Sequence, residues 1–151
     1  MQRDNPFTEG TTGLDLVKLQ LLVADGHHLV GQAPPHVGHA IEARLNVEDA
    51  DQGFAPAPGT VVLLNLPSGP GIRVDTGIAT GDVIPPGYDS MVAKIIAWGR
   101  DRGEAIARMQ RALAELRIEG VPTTAGFLSR LPASDAFVRG AMHTRPVQQF
   151  I

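Results

Sequence analysis

Residues 91–116, MVAKIIAWGRDRGEAIARMQRALAEL, carry two periodicities back to back, and together they decide the fold class. Met91 to Trp98 is a short apolar run of strand length. From Asp101 the period changes. Ile106, Met109, Leu113 and Leu116 recur at spacings of 3, 4 and 3, an apolar helix stripe, while Arg102, Arg108, Arg111 and Glu115 cover the other side. Asp101 with Glu104 reads as a capping box, and Gly120 with Pro122 ends the helix. Upstream, Ile72, Val74, Thr76 and Ile78 alternate with Arg73 and Asp75. Over His39–Asn46, Ile41, Ala43 and Leu45 alternate with Glu42, Arg44 and Asn46. Both are period-two patterns of half-buried strands. Thr60 to Leu66 reads as a core strand.

Turn chemistry separates these runs at residues 49–59, at Pro67-Ser68-Gly69-Pro70-Gly71 and at Pro85-Pro86-Gly87. A further helix is expected over Leu14 to Ala24, with Thr12 as N-cap, Asp15 three residues on, and Gly26 past its end. Apolar residues occupy most of its faces, which predicts burial on more than one side. The tail from Ala125 to Ile151 reads as short helical turns. The class is α+β, an antiparallel β core with flanking helices and no βαβ alternation.

Composition narrows the function. The 151 residues are 43% hydrophobic and 19% charged, enough apolar material for one core. Thirteen basic residues against 16 acidic ones give a net charge of -3, which argues against a non-specific nucleic-acid binder. There is no cysteine, so disulfides, thiolate metal sites and a cysteine nucleophile are excluded. No apolar run is long enough to span a bilayer, and Met1-Gln2-Arg3-Asp4-Asn5 lacks the apolar region of a secretory signal. A soluble, cytoplasmic domain is expected, without nucleic-acid or membrane partners.

Five histidines show no metal-ligand spacing: His27 and His28 are adjacent, and His36, His39 and His143 have no H-x-x-x-H partner. Ser68-Gly69-Pro70-Gly71 leads into a strand, so it reads as a structural turn and not as a phosphate loop. Arg73 directly follows that rigid turn. Its permanently charged guanidinium could hold a carboxylate, bicarbonate or a developing enolate by forked hydrogen bonds, or pair with Asp75 or Glu42. Asp4 and Glu9 could be acid–base groups or solvated carboxylates, and Lys94 reads as snorkelling or ion-paired.

Taken as strings, several segments resemble one family. Gly38 to Asp49 resembles the G-H-A-[IV]-E-x-R-[IL]-x-A-E-[DN] segment of biotin carboxylases. Pro58-Gly59 and Pro67 to Arg73 resemble their P-x-P-G and P-x-G-x-G-[VI]-R runs, and Pro85 to Lys94 is similar to V-P-x-x-Y-D-[SP]-[ML]-[IL]-[AG]-K. Asp101 to Leu116 and Gly120 to Thr124 continue the likeness in the same order over nearly the whole chain.

The resemblance implies a biotin carboxylase C-terminal subdomain, a barrel-sandwich hybrid-like fold over residues 37–151. Residues 1–36 would be the tail of the ATP-grasp region with a connecting helix. The implied chemistry is ATP-dependent carboxylation of biotin by bicarbonate, the first half-reaction of a biotin-dependent carboxylase. Arg73 stands where the family stabilises the biotin enolate, and Gln2 where it binds bicarbonate. Arg3 replaces the valine whose N–H contacts bicarbonate, Asp4 replaces the glutamate general base, and Asn5 replaces a histidine. Biotin would arrive on a carrier domain. ATP and Mg2+ would be held by the N-terminal ATP-grasp region, so the 151 residues alone are expected to be inactive. A carboxyltransferase component is the further implied partner, and a homodimer is plausible. The alternative is a free-standing binding or assembly module derived from this domain, which the replaced Val-Glu-His triplet favours.

Overall fold

The computed structural model describes residues 6–142. Its elements run α1 (Pro6–Thr12), α2 (Leu16–Ala24), β1 (His39–Asn46), β2 (Glu48–Asp49), β3 (Ala55–Pro56), β4 (Gly59–Thr60), β5 (Leu63–Asn65), β6 (Ile72–Thr76), β7 (Val83–Ile84), β8 (Met91–Gly99), α3 (Arg102–Glu115), β9 (Arg117–Glu119), α4 (Ala125–Arg130) and α5 (Asp135–Val138). The central sheet is antiparallel with strand order β1-β8-β6, and three short ladders, β2-β3, β4-β7 and β5-β9, accompany it. The architecture is α+β, as the periodicities predict.

Register follows from the alternation. The rows Ile41–Ala97–Ile72 and Ala43–Ile95–Val74 cross all three strands, and their side chains join one core cluster with Met109, Ala112 and Leu113 of α3. Ile95 and Met109 are fully buried. Because side chains alternate strictly across a strand, the next rows must face the other way. They are Glu42–Ile96–Arg73 and Arg44–Lys94–Asp75. Ile96 of β8 is nevertheless buried on this second face too, to 3% exposure, while Trp98 is half-buried. Helix α1, which touches β1 and β8, lies over it.

Helix α3 keeps its expected stripe: Ile106, Met109, Leu113 and Leu116 are all buried. Asp101 is its N-cap, accepting from the Glu104 N–H at 2.8 Å. The reciprocal arm of the box shifts by one residue, since Glu104 accepts from the N–H of Arg100 at 2.8 Å. That bond, then the Arg100 guanidinium, hold the Glu104 carboxyl below the usual range.

Three expectations are corrected. The N-cap of α2 is Asp15, which accepts from Lys18 N at 2.8 Å; Thr12 instead closes α1, its hydroxyl donating to the Thr8 carbonyl. Helix α1 itself has no apolar period to announce it. Pro6 suits its first position, and Gly13, at φ +73°, ends it. The burial expected of α2 is absent: none of its nine residues is buried, and Leu21 is 66% exposed. The sheet face it would need is taken by α1. Finally, the run 60–66 splits at Val61 and Val62 into β4 and β5, with Val61 fully buried and Val62 exposed. Of the tail, α4 and α5 form, and residues 143–151 lie outside the described part.

The two kinds of apolar residue separate in a urea melt. Ile95→Ala should cost about 2–5 kcal/mol of stability, whereas Leu21→Ala should stay within roughly 0.5 kcal/mol of the parent.

Candidate active site

The turn before β6 is built to hold a strand in place. Gly69 and Gly71 have φ of +129° and +72°, values open to glycine and costly for other residues. The Gly71 carbonyl accepts from Trp98 N at 2.8 Å, stitching the turn to the end of β8. Arg108 from α3 donates to the Trp98 carbonyl at 2.6 Å. A Cβ on Gly71 would run into both that carbonyl and the Arg108 guanidinium. The turn is structural, as expected, and it delivers Arg73 two residues later onto the second face of the sheet.

Arg73 meets two carboxylates. Its Nε donates to Asp75 Oδ1 at 2.8 Å and its NH2 group pairs with Asp75 Oδ2 at 2.8 Å, a forked contact within one strand. Its NH1 group donates to Glu9 Oε2 at 2.7 Å, across 64 residues of sequence. Both carboxylates raise the guanidinium pKa, Asp75 more than Glu9, so the group stays charged at every accessible pH. The Arg73 side chain is 48% exposed. Exposed ion pairs contribute only about 0.2–1 kcal/mol, so this network orients the group more than it stabilises the fold.

Asp75 was one of the two expected partners of Arg73; Glu42 was the other, and it pairs instead with Arg44, accepting from Nε at 2.6 Å. Glu9 is not a solvated carboxylate: its side chain is only 14% exposed. No local pattern links it to Arg73, and only its place in the family-like N-terminal stretch sets it apart. Lys94 lies between Arg44 and Asp75 in the register and has interaction partners of its own. Gln2, Arg3 and Asp4, the other expected site residues, lie outside the described residues.

A guanidinium offers five N–H donors. Three of those on Arg73 are committed to Glu9 and Asp75, which leaves two for an incoming oxygen. The side chain borders an open cleft of about 420 Å³, lined also by Glu9, Gly13, Leu14, Asp15 and Val17. The donor set fits an anionic or partly anionic oxygen. Among the described residues, no three His, Asp or Glu side chains converge to hold a metal ion. His27 and His28 are exposed, His36 bonds Thr11 Oγ1 at 2.8 Å, and His39 contacts Arg102 at 3.3 Å.

Residues 42–149 match the family model of the biotin carboxylase C-terminal domain. The chain belongs to the biotin carboxylase family. It is 45% identical over 151 residues to the biotin carboxylase of Nostoc sp., covering 99% of this chain and 34% of that one. It is 43% identical over 152 residues to biotin carboxylase 1 of Bacillus subtilis, with 99% and 34% coverage. Among solved structures, it superposes with a TM-score of 0.94 on the biotin carboxylase domain dimer of Hydrogenobacter thermophilus 2-oxoglutarate carboxylase, crystallised with MgADP, ADP and bicarbonate. That match is 38% identical over 99% of this chain and 33% of the other. As a biotin carboxylase C-terminal domain, the chain spans about a third of the length of these relatives.

Gly71→Ala should lower stability by about 2–4 kcal/mol, combining a left-handed backbone with a collision against a carbonyl. Circular dichroism melts check this, and an unchanged midpoint would mean that the turn is not what anchors β6.

Proposed function

We propose that this chain supplies the Arg73 side of the site at which a biotin carboxylase carboxylates biotin with ATP and bicarbonate, the first half-reaction of a biotin-dependent carboxylase. The observation that carries this reading is a guanidinium that borders a cleft and is braced by two carboxylates through three of its five N–H donors. Biotin, on its carrier, brings a ureido group whose oxygen gains negative charge as its nitrogen loses a proton. Arg73 is a fixed cation already aimed at such a charge, so little reorganisation is needed when the charge develops. Its fork also fixes direction, which a lysine ammonium would not.

Gln2 and Arg3 are assigned to bicarbonate and Asp4 to the base that takes a proton. Asp4 is one methylene shorter than the family glutamate it replaces. ATP and Mg2+ belong to the ATP-grasp region, and the 151 residues alone neither bind ATP nor turn over.

The partners in this reading are that ATP-grasp region, a biotin carrier and a carboxyltransferase component, and a homodimer fits the dimeric structure of the Hydrogenobacter relative. Residues 1–36 form the junction with the preceding region, and residues 37–151 the C-terminal subdomain. The antiparallel ladders support a barrel-sandwich hybrid-like arrangement of the latter. The exposed apolar residues Val17, Leu21 and Val23 of α2 suit coverage by the ATP-grasp region.

The test joins this chain to the preceding part, about two-thirds, of the Nostoc enzyme. The fusion should form carboxybiotin from ATP and bicarbonate, and Arg73→Ala should cut kcat by roughly 10²–10³-fold. Carboxybiotin formation within twofold of the parent would remove Arg73 from the chemistry.

A further inference from the structure

We infer that Glu9 is a positioning residue for Arg73, one that ties the guanidinium to the first turn of α2; the inference rests on the reading of Arg73 as the charge-stabilising group. The two oxygens of Glu9 have separate tasks. Oε2 accepts from Arg73 NH1 at 2.7 Å, and Oε1 accepts from the Leu16 N–H at 2.9 Å. Leu16 opens α2, and the first N–H groups of a helix have no partner within it. Asp15, the N-cap, spends its side chain on Lys18 N. One carboxylate therefore joins three elements: α1, which carries it, α2, whose first turn it caps, and β6, whose arginine it holds.

An acid–base role for Glu9 fits poorly, because both oxygens are engaged and the side chain is nearly buried. A simple helix-capping role leaves the Arg73 contact without purpose. Asp75 cannot do the same work. It sits two residues along the same strand and the same face, so it moves with Arg73. Glu9 approaches from another element and fixes the guanidinium against the body of the cleft, which α1 and the start of α2 line. A displacement of the order of 1 Å in such a group is enough to be costly in catalysis. Through Glu9, the aim of Arg73 depends on where α2 sits.

The experiment uses the 151-residue chain labelled with 15N. It reads solvent exchange at the Arg73 NH1 protons and at the Leu16 and Lys18 amides. In Glu9→Gln, which removes the charge but keeps an acceptor for Leu16, exchange at the Arg73 NH1 protons, the ones bonded to Glu9, should rise roughly two- to fivefold, the scale of an exposed ion pair. In Arg73→Ala, exchange at the Leu16 amide should rise while Lys18, capped by Asp15, is unchanged. An Arg73 rate unaffected by Glu9→Gln, or a Leu16 rate unaffected by Arg73→Ala, would reduce Glu9 to a helix cap and overturn the inference. Arg73→Ala keeps the second arm informative should Glu9→Gln unfold the chain, since that side chain is half exposed. Neither readout involves turnover. Loss of the carboxylase reading would show as a fusion enzyme indifferent to Arg73→Ala, and loss of the tether as uncoupled exchange rates.

Discussion

The antiparallel register of β8 between β1 and β6 is the constraint on which the rest depends. β8 is covered on one face by α3 and on the other in part by α1, so it carries apolar residues on both, with Lys94 the exception on the second. Its neighbours need be apolar on one face alone. Odd positions of β1 and even positions of β6 then enter the core, and Glu42, Arg44, Arg73 and Asp75 are left together on the other face. A one-residue slip of β6 would put Arg73 into the core beside Met109, at a cost no ion pair could offset. The hydrophobic core thus sets the position of the charged group, and the glycine turn before it fixes the register.

Once on that face, Arg73 is oriented by electrostatics at short range. Each carboxylate contact is weak as a source of stability, but two contacts from different elements define a plane and a direction. That is what a site for a developing negative charge requires, because a donor that must first turn toward the charge loses part of its effect.

Much of this was legible in the sequence where the pattern is local. The alternation of 39–46 and 72–76, the stripe of α3, its Asp101 cap and the Gly-Pro-Gly turn all rest on neighbours within a few residues, and the structure keeps them. What was hidden depends on distance. The Glu9–Arg73 contact spans 64 residues and has no periodicity to betray it. Helix α1 is too short and too rich in threonine for an apolar period, and its Thr11 and Thr12 hydroxyls bond back to carbonyls one turn earlier. The reading of α2 failed in a different way. Its apolar faces do signal burial, but within the described residues only Leu16 and Leu19 are half-buried and the rest are exposed, since α1 occupies the sheet. The resemblance supplied the chemical role assigned to Arg73. Spacing alone favoured an ion pair over an anion site, and the ion pair with Asp75 is present in the structure.

The central claim is tested most directly by a crystal structure of this chain joined to the preceding part of a full-length relative and soaked with biotin. The account predicts the ureido oxygen within hydrogen-bond distance of Arg73, about 2.7–3.2 Å, with the Glu9 and Asp75 contacts retained. Biotin bound elsewhere in the fused enzyme, with Arg73 engaged by its two carboxylates alone, would contradict it.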